Sequence, residues 1–422
     1  MKEDFLHYLW KYKKIPTKMY TSEGDLIEIL SFGTYNTLAG PDFFNAQIII
    51  GGQKWAGSVE MHLKSSYWYA HHHEKDPSYH NVILHVVWEH DIEVFDNNSQ
   101  PIPTLELKSF IDKELINHYK STLNAQYNFI PCEKSHHLVP DIVTITWNER
   151  LFVERLEEKA VFIEMLYNNC NFDWEKTLFL MLLKSFGSTV NGESFISIGR
   201  NIDFSIIRKE RTHPLHLEAL LLGQANLLMP NSEAHYQSEL YSTYRYLKQK
   251  YNLTDTLIKV TFTGLRPQGF PTIRLSQVAQ LYEKSNVLFS NLMEATSFTE
   301  AKELLGSSTS EFWQTHYTFQ KTSKKTTKQL SNQLIELLWI NTVVPLKYLY
   351  FKTLGKDISE ELMTEMKKLS PETNTIITQF KNLGVKIDSA FDSQVLLQQY
   401  KHYCTPKHCL DCAIGISLLR NN

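Results

Sequence analysis

Hydrophobic and polar positions in the first 110 residues change from helical to strand spacing. Phe5, Leu6, Leu9 and Trp10 share one face of a helix over residues 3–13. Strands are predicted at residues 25–30, in a hairpin over 40–64, at 81–88 and at 103–107, with a polar connector at 65–80. Residues 81–88 are almost continuously apolar, which is typical of a central, buried strand. The predicted order is helix, strand, strand, strand, connector, strand.

Beyond residue 143 the spacing becomes helical and stays so. Phe152, Leu156, Ala160 and Ile163 form one apolar stripe. Further helices are predicted at Trp174–Phe186, His216–Leu228, Ser232–Lys250, Leu275–Asn286, Thr299–Leu305, Leu330–Leu354, Ser359–Lys368 and Asn374–Leu383. The fold class is therefore α+β, with an α/β domain over residues 1–140 and a mainly helical domain over residues 141–422.

The hairpin carries charged side chains on one face. Because side chains alternate along a strand, Glu60, His62 and Lys64 lie on the same side. A two-residue turn at Gly51-Gly52 would place Asp42 opposite Met61. One bulge, or a three-residue loop, would place Asp42 directly opposite Glu60 instead, with Cβ atoms about 5 Å apart.

Two carboxylates at that distance repel each other unless a cation lies between them. Mg²⁺ or Mn²⁺ accepts such oxygen ligands, and Lys64 or His62 would then position a water or stabilise developing charge. An alternative set is Glu60, His62 and His73, since imidazole suits zinc or iron. Of the three consecutive histidines at 71–73, at most two can share that metal. A third interpretation is that the charged face is exposed sheet surface without chemistry.

The hairpin resembles the PD-(D/E)xK nuclease superfamily. Pro41-Asp42 matches the acid after a turn-forming proline, and Glu60-Met61-His62 matches the acid-x-Lys element with His62 in place of the lysine. Lys64 lies on the same face, two residues on. The resemblance implies a restriction-endonuclease core and Mg²⁺-dependent cleavage of nucleic acid, with Asp42 and Glu60 holding the metal. Two alternatives are a non-catalytic nucleic-acid-binding or scaffold protein, and a His/Glu metal hydrolase of a small substrate.

The cysteines gather near the end of the chain. Cys404, Cys409 and Cys412 lie within nine residues, and the candidates for a fourth ligand are Cys132, His402 and His408. Four thiolates would bind zinc tetrahedrally, whereas the alternative is unligated thiols. Some PD-(D/E)xK nucleases carry an iron–sulfur cluster on one early and three late cysteines, so the resemblance implies that option too.

Composition narrows the remaining possibilities. The formal net charge of −3 gives no global attraction to nucleic acid or to an anionic membrane, so any such binding needs a local patch. The N-terminal residues lack the apolar core of a signal peptide, and a cytoplasmic protein without membrane association is predicted. Arg266 and Arg274 flank a proline-rich turn and are candidates for holding a substrate phosphate. The lysines over residues 321–328 predict an exposed loop.

Several longer motifs occur in one order along the chain. They include TYNTLAGPDFFNAQI, WAGSVEMHLKSSYW, VILHVVWEHD, EALLLGQA, LRPQGFPTIRL and CLDCAIG. On these motifs the chain resembles the bacterial family catalogued as domain of unknown function 2851. That resemblance supports the architecture and implies no particular activity.

Overall fold

The computed structural model describes residues 2–420, except residues 37–38, 115, 118, 120–127, 231 and 255–258. The chain forms two compact units. The first contains residues 1–147, 378–385 and 397–422, and the second contains residues 148–377 and 386–396. The C-terminal residues thus belong to the N-terminal unit, whereas the sequence placed them in the helical domain. The difference arises because contacts between residues distant in sequence leave no periodic signal.

A mixed sheet forms the centre of the first unit. Helix α1 (Asp4–Lys11) precedes it, and the short helix α2 (Tyr67–Ala70) lies in the connector. The strands are β1 (Lys18–Tyr20), β2 (Leu26–Ser31), β3 (Thr34–Tyr35), β4 (Phe43–Ile50), β5 (Gln53–Lys64), β6 (Val82–Glu89) and β7 (Thr104–Glu106). Their spatial order is β1-β2-β4-β5-β6-β7, with β3 paired to β4. Strands β2, β4 and β5 pair antiparallel, whereas β5, β6 and β7 pair parallel.

Helix α1 covers the sheet with the predicted apolar stripe. Phe5, Leu6, Leu9 and Trp10 are buried completely. They pack in one core with Val59 and Met61 of β5 and with Leu84 and Val86 of β6. The same core takes in three residues from the end of the chain, namely Leu410, Ile416 and Leu419. The apolar face of β5 therefore points into this core, and its polar face points away from it.

A bulge in β4 sets the register that the site depends on. Near the turn, Ala46 pairs with Gly57, but further along Phe43 pairs with Val59, so β4 contains one extra residue between these pairs. Asn45 lies in the bulge with a backbone φ of 57°, in the left-handed region that Asn tolerates better than most residues. The bulge alternative from the sequence is the one observed, and it brings Asp42 beside Glu60.

The larger helical region follows β7, as predicted. Its helices are α3 (Asp141–Asn169), α4 (Trp174–Phe186), α5 (Ser188–Arg200), α6 (Phe204–Glu210), α7 (His216–Gln224), α8 (His235–Tyr251), α9 (Pro271–Lys284), α10 (Leu288–Glu294), α11 (Phe298–Leu305), α12 (Asn332–Leu338), α13 (Val344–Thr353), α14 (Ser359–Lys367), α15 (Thr375–Asn382) and α16 (Ala390–Gln399). Helix α17 (Ala413–Arg420) closes the chain. The sequence did not predict α5, α6, α10, α16 or α17.

The segment Asn332–Thr353 passes the length and composition test for a membrane span. It comprises α12, a π-helical turn at Trp339–Val343 and α13. Two-thirds of its apolar window is buried inside the protein. The absence of membrane association and the cytoplasmic location both stay predictions.

We expect Asn45→Val to destabilise the protein and Asn45→Gly to be neutral or slightly stabilising. A β-branched side chain at this positive φ costs about 1–2 kcal/mol, whereas glycine has no such cost. Urea unfolding of both variants measures the effect. Gln47→Val is the matched control, because Gln47 is also exposed on β4 but is not among the residues with positive φ. Equal stability of Asn45→Val and Asn45→Gly would contradict the role of the bulge.

Candidate functional site

Asp42 and Glu60 are joined by two reciprocal hydrogen bonds across β4 and β5. The Asp42 amide donates to Glu60 Oε2 at 3.2 Å, and the Met61 amide donates to Asp42 Oδ2 at 2.9 Å. Each carboxylate therefore uses one oxygen to accept from the backbone of the opposite strand. Glu60 Oε1 is turned toward histidines.

Two histidines approach Glu60 Oε1, and a third lies beside one of them. His73 Nε2 lies 3.4 Å away and His62 Nε2 lies 3.6 Å away. His71 Nδ1 lies 3.1 Å from His62 Nε2. His62 belongs to β5, while His71 and His73 come from the connector after α2, where His72 has a φ of 61°. That left-handed residue lets His71 and His73 face the same point while His72 remains exposed. At most two of the three consecutive histidines were predicted to converge, and two of them do.

The site is buried, so the interpretation of this face as exposed sheet surface is wrong for Glu60 and His62. Their exposed fractions are 5% and 2%. Burial, and next the charge of Asp42, raise the pKa of Glu60 to about 9. Burial, and next His85, lower the pKa of His62 to about 2. Without a metal the carboxyl is therefore protonated and the ring neutral at pH 7, because burial disfavours the charged form of each group.

His85 supports His62 from the next strand. Its Nε2 lies 2.9 Å from His62 Nδ1, and it is completely buried in β6. His85 is thus a core histidine with a hydrogen-bond partner. If His62 Nδ1 donates to His85, then His62 Nε2 carries the lone pair that a metal needs.

His7 is a site residue that the sequence analysis missed. Its Nε2 lies 3.2 Å from Asp42 Oδ2, and Tyr35 Oη lies 3.5 Å from its Nδ1. Burial lowers the pKa of His7, but the hydrogen bond and the charge of Asp42 outweigh it, so the pKa is raised. The available signal was a single histidine beside the apolar stripe of α1, which does not reveal a partner on a distant strand.

Three of the separations between candidate ligand atoms suit a tetrahedral metal. Nitrogen ligands bonded at about 2.0–2.1 Å lie roughly 3.3 Å apart in a tetrahedron. The separations of 3.1, 3.4 and 3.6 Å among His62, His71, His73 and Glu60 fall around that value. His62, His71 and His73 have ligand atoms within 4.8 Å of one another. His73 Nε2 is buried and makes no hydrogen bond within the described part of the chain. A metal would satisfy it.

Lys64 does not join this group. Its Nζ lies 3.8 Å from Glu89 Oε1 at a half-exposed position. None of its described contacts is to Asp42 or Glu60. The alternation along β5 was predicted correctly, but Lys64 lies one pleat beyond the buried part of the strand. The basic side chains shown in contact with the two acids are instead His7, His62 and His73.

The predicted phosphate ligands lie in the second unit. Arg274 is on α9, where its Nη1 donates to Gln277 Oε1 at 2.9 Å, and Arg266 is exposed. The Lys321–Lys328 segment is only partly the solvated loop that was predicted. Lys328 is buried, and its Nζ donates to the carbonyls of Trp313 and His316. Lys328 is therefore a structural cation and not a contact for a nucleic-acid backbone.

A second group of potential ligands occurs in the second unit, at Glu210, His213 and His216. Glu210 is already surrounded by donors. Lys250 Nζ lies at 2.8 Å, His216 Nδ1 at 2.6 Å, and Tyr251 also donates. Burial raises the pKa of Glu210, but these hydrogen bonds prevail and lower it to about 2. The group is an ion-pair network in which the Lys250 ammonium already balances the charge of Glu210.

Comparison with known proteins identifies a family. A family model described as "Protein of unknown function (DUF2851)" matches residues 3–375. The match includes Cys132 and the whole sheet, and it ends before Cys404. Neither the comparison with curated proteins nor that with solved structures gave a match.

In the metal-free protein, stability is expected to fall as the pH rises from about 7 to about 9. Folded Glu60 keeps its proton up to a pKa of about 9, whereas the unfolded chain releases it near 4.5. The raised pKa thus contributes stability that is complete below pH 4.5 and is lost as the pH rises through 9. The slope is at most about 1.4 kcal/mol per pH unit. His62 is neutral in both states over this range and adds nothing.

Urea unfolding of chelator-treated protein at the two pH values measures this slope. Glu60→Gln keeps the shape and removes the titration, so its stability should change less over the same range. An equal pH dependence in the wild type and in Glu60→Gln would show that Glu60 is ionised in the folded protein.

Proposed function

This chain belongs to the DUF2851 family, and we propose that it is a metal-dependent hydrolase of nucleic-acid phosphodiesters. The observation that supports the proposal best is the convergence of Glu60 Oε1, His62 Nε2 and His73 Nε2 in a buried site beside Asp42. Strongly perturbed pKa values and an unsatisfied buried nitrogen are what a metal-free catalytic site has.

The donor set favours a transition metal over Mg²⁺. Two or three imidazoles and one carboxylate suit Zn²⁺, Mn²⁺ or Fe²⁺, whereas Mg²⁺ prefers oxygen ligands and retains its waters. Glu60, His62 and His73 are buried and would form the permanent ligands. His71 is exposed, so it lies on the side from which solvent and substrate enter. When bound, such a metal polarises a phosphoryl oxygen and lowers the pKa of a coordinated water.

The chain's own residues supply orientation and charge around that metal. The Asp42 amide fixes Glu60 Oε2, which leaves Oε1 free to bind the metal. His85 fixes the ring of His62. His7, with its raised pKa, is the cation closest to Asp42 and would offset negative charge that develops at a phosphodiester.

The substrate class is proposed from the order of elements and from the Pro41-Asp42 turn. Leaving aside the short strands β1 and β3, the order of α1, the antiparallel strands β2, β4 and β5, the connector with α2, and the parallel strand β6 is similar to that of the PD-(D/E)xK nuclease core. Asp42 and Glu60 occupy the acidic positions of that motif. His62 stands where those enzymes have lysine, and this difference fits a site that binds its metal partly through nitrogen.

A second candidate is the two-carboxylate Mg²⁺ site predicted from the sequence. Asp42 and Glu60 lie close enough for the charge of Asp42 to raise the pKa of Glu60, and a divalent cation would remove that repulsion. In that case the histidines are outer-shell residues, and metal binding would depend on Asp42 more than on His73.

We expect His73→Asn to weaken binding of Zn²⁺ and Mn²⁺ by about 10–100-fold, because it removes a buried ligand. His72→Asn is the matched control, since His72 is the exposed neighbour and Asn tolerates its positive φ. Isothermal titration of chelator-treated protein with each metal measures both affinities. If Asp42→Asn abolishes binding while His73→Asn leaves it intact, the oxygen site is the correct one.

We expect cleavage of a labelled oligonucleotide to require Mn²⁺ or Zn²⁺ and to fall at least about 100-fold in Glu60→Gln and Asp42→Asn. Single-stranded and duplex DNA and RNA are tested together with bis-p-nitrophenyl phosphate. Cleavage of the small ester alone would indicate a small-substrate hydrolase. Salt-sensitive nucleic-acid binding without cleavage, under every metal, would indicate the non-catalytic alternative.

A further inference from the structure

Four of the five cysteines gather in the first unit. Cys132 comes shortly before a 3-10 turn at His136–Leu138, and Cys404 ends a π-helical turn at Tyr400–Cys404. Cys409 and Cys412 directly precede α17. All four are buried, with exposed fractions between 6% and 9%, and none forms a disulfide.

The backbone around these cysteines is tightly folded and brings distant segments together. Helix α17 contacts the turn at His136–Leu138, which joins the end of the chain to the segment that carries Cys132. A Cβ atom on Gly415 would lie 2.2 Å from the Cys409 carbonyl oxygen, so only glycine fits there. The two cysteine segments are therefore held together by packing and not only by proximity in sequence.

Hydrogen-bond donors point at the sulfurs. The amides of Ile414 and Gly415, at the start of α17, donate to Cys412. Gln399 Nε2 donates to Cys404 Sγ at 3.9 Å. Donors of this kind stabilise a thiolate and do little for a neutral thiol. These donors therefore favour the thiolate form of Cys404 and Cys412.

The same cysteines resist ionisation in the absence of a cation. Burial, and next the neighbouring Cys412 and Cys409, raise the pKa of Cys132 to about 12. Burial, and next Cys412, raise the pKa of Cys409 to about 12. Four buried thiolates would repel one another, so they would form only around a metal that offsets that repulsion.

The spacing of the sulfurs distinguishes between metals. Thiolates bonded to one zinc at about 2.3 Å lie about 3.8 Å apart. Yet the described groups of three or more ligand atoms within 4.8 Å of one another include no cysteine. In every set of three of these sulfurs, at least one pair is therefore more than 4.8 Å apart, which is wider than a single zinc allows, whereas a cluster of several iron and sulfide atoms spans such a distance.

We propose that Cys132, Cys404, Cys409 and Cys412 ligate an iron–sulfur cluster in the first unit. The proposal stands independently of the hydrolase site, since no residue is shared between them. Cluster binding releases the thiol protons and requires iron and sulfide, both of which the cell must supply.

The test is metal and sulfide analysis of full-length protein purified without oxygen. It is done in a His73→Asn background, so that metal at the histidine site is not counted. We expect about two or about four iron atoms per chain with a similar amount of acid-labile sulfide and visible charge-transfer absorbance. Cys132→Ser should lower the iron at least about twofold. Cys170→Ser is the matched control, because Cys170 is also buried but lies in the second unit.

X-ray absorption at the metal edge provides a readout that does not require a variant to fold. A shell of sulfur neighbours with iron at short distance supports the cluster. One zinc per chain with four sulfur neighbours overturns the cluster assignment. Metal-free protein with four freely alkylated thiols, or iron that is unchanged in Cys132→Ser, overturns it as well.

Discussion

The reciprocal hydrogen bonds between Asp42 and Glu60 are the constraint on which the site depends. They form only because the bulge at Asn45 shifts β4 by one residue relative to β5. Since side chains alternate, an unshifted register would turn Asp42 to the face of Met61, which belongs to the apolar core. A single residue of left-handed backbone therefore decides whether a second carboxylate joins the histidines. Gly33, just before β3, allows the chain to pass close to the bulge, because a Cβ at this position would lie 2.5 Å from the Phe44 carbonyl oxygen.

Burial without charge balance explains the electrostatics of the metal-free site. Glu60, His62, His73 and His85 are all buried, and together they carry no fixed cation. Burying an ionised group without a partner costs several kcal/mol, so the carboxyl keeps its proton and the rings remain neutral. Such a network is stable as a set of neutral hydrogen-bonding groups, yet His73 Nε2 is left without a hydrogen bond in the part of the chain described. A divalent cation would displace the Glu60 proton and use the lone pair of His73, which removes both costs together.

The sequence could predict those features that depend on local spacing. The α1 stripe, the hairpin, the buried β6 strand and the shared face of Glu60 and His62 follow from periods of 3.6 and 2. The bulge could be stated only as an alternative, because Asn is compatible with ordinary strand geometry as well. His7 was missed because its partner lies on another element, His71 was considered only within the run of three histidines, and Lys64 was included because alternation does not show where burial ends. The return of residues 397–422 to the first unit is a long-range contact that no local pattern records.

Apolar packing holds the C-terminal residues 397–422 in the first unit, independently of any group that the cysteines bind. Leu410, Ile416 and Leu419 are buried in the same core as α1 and the sheet. Burying a leucine or isoleucine contributes about 1.5–3 kcal/mol, so these three alone hold the segment in place. Closing the long loop between Cys132 and Cys404 costs little more than closing one half as long, since the entropy grows only as the logarithm of length. The apolar contacts can meet that cost without a metal. Docking of the segment therefore does not require the four cysteines, and the cluster proposed above would give them a role.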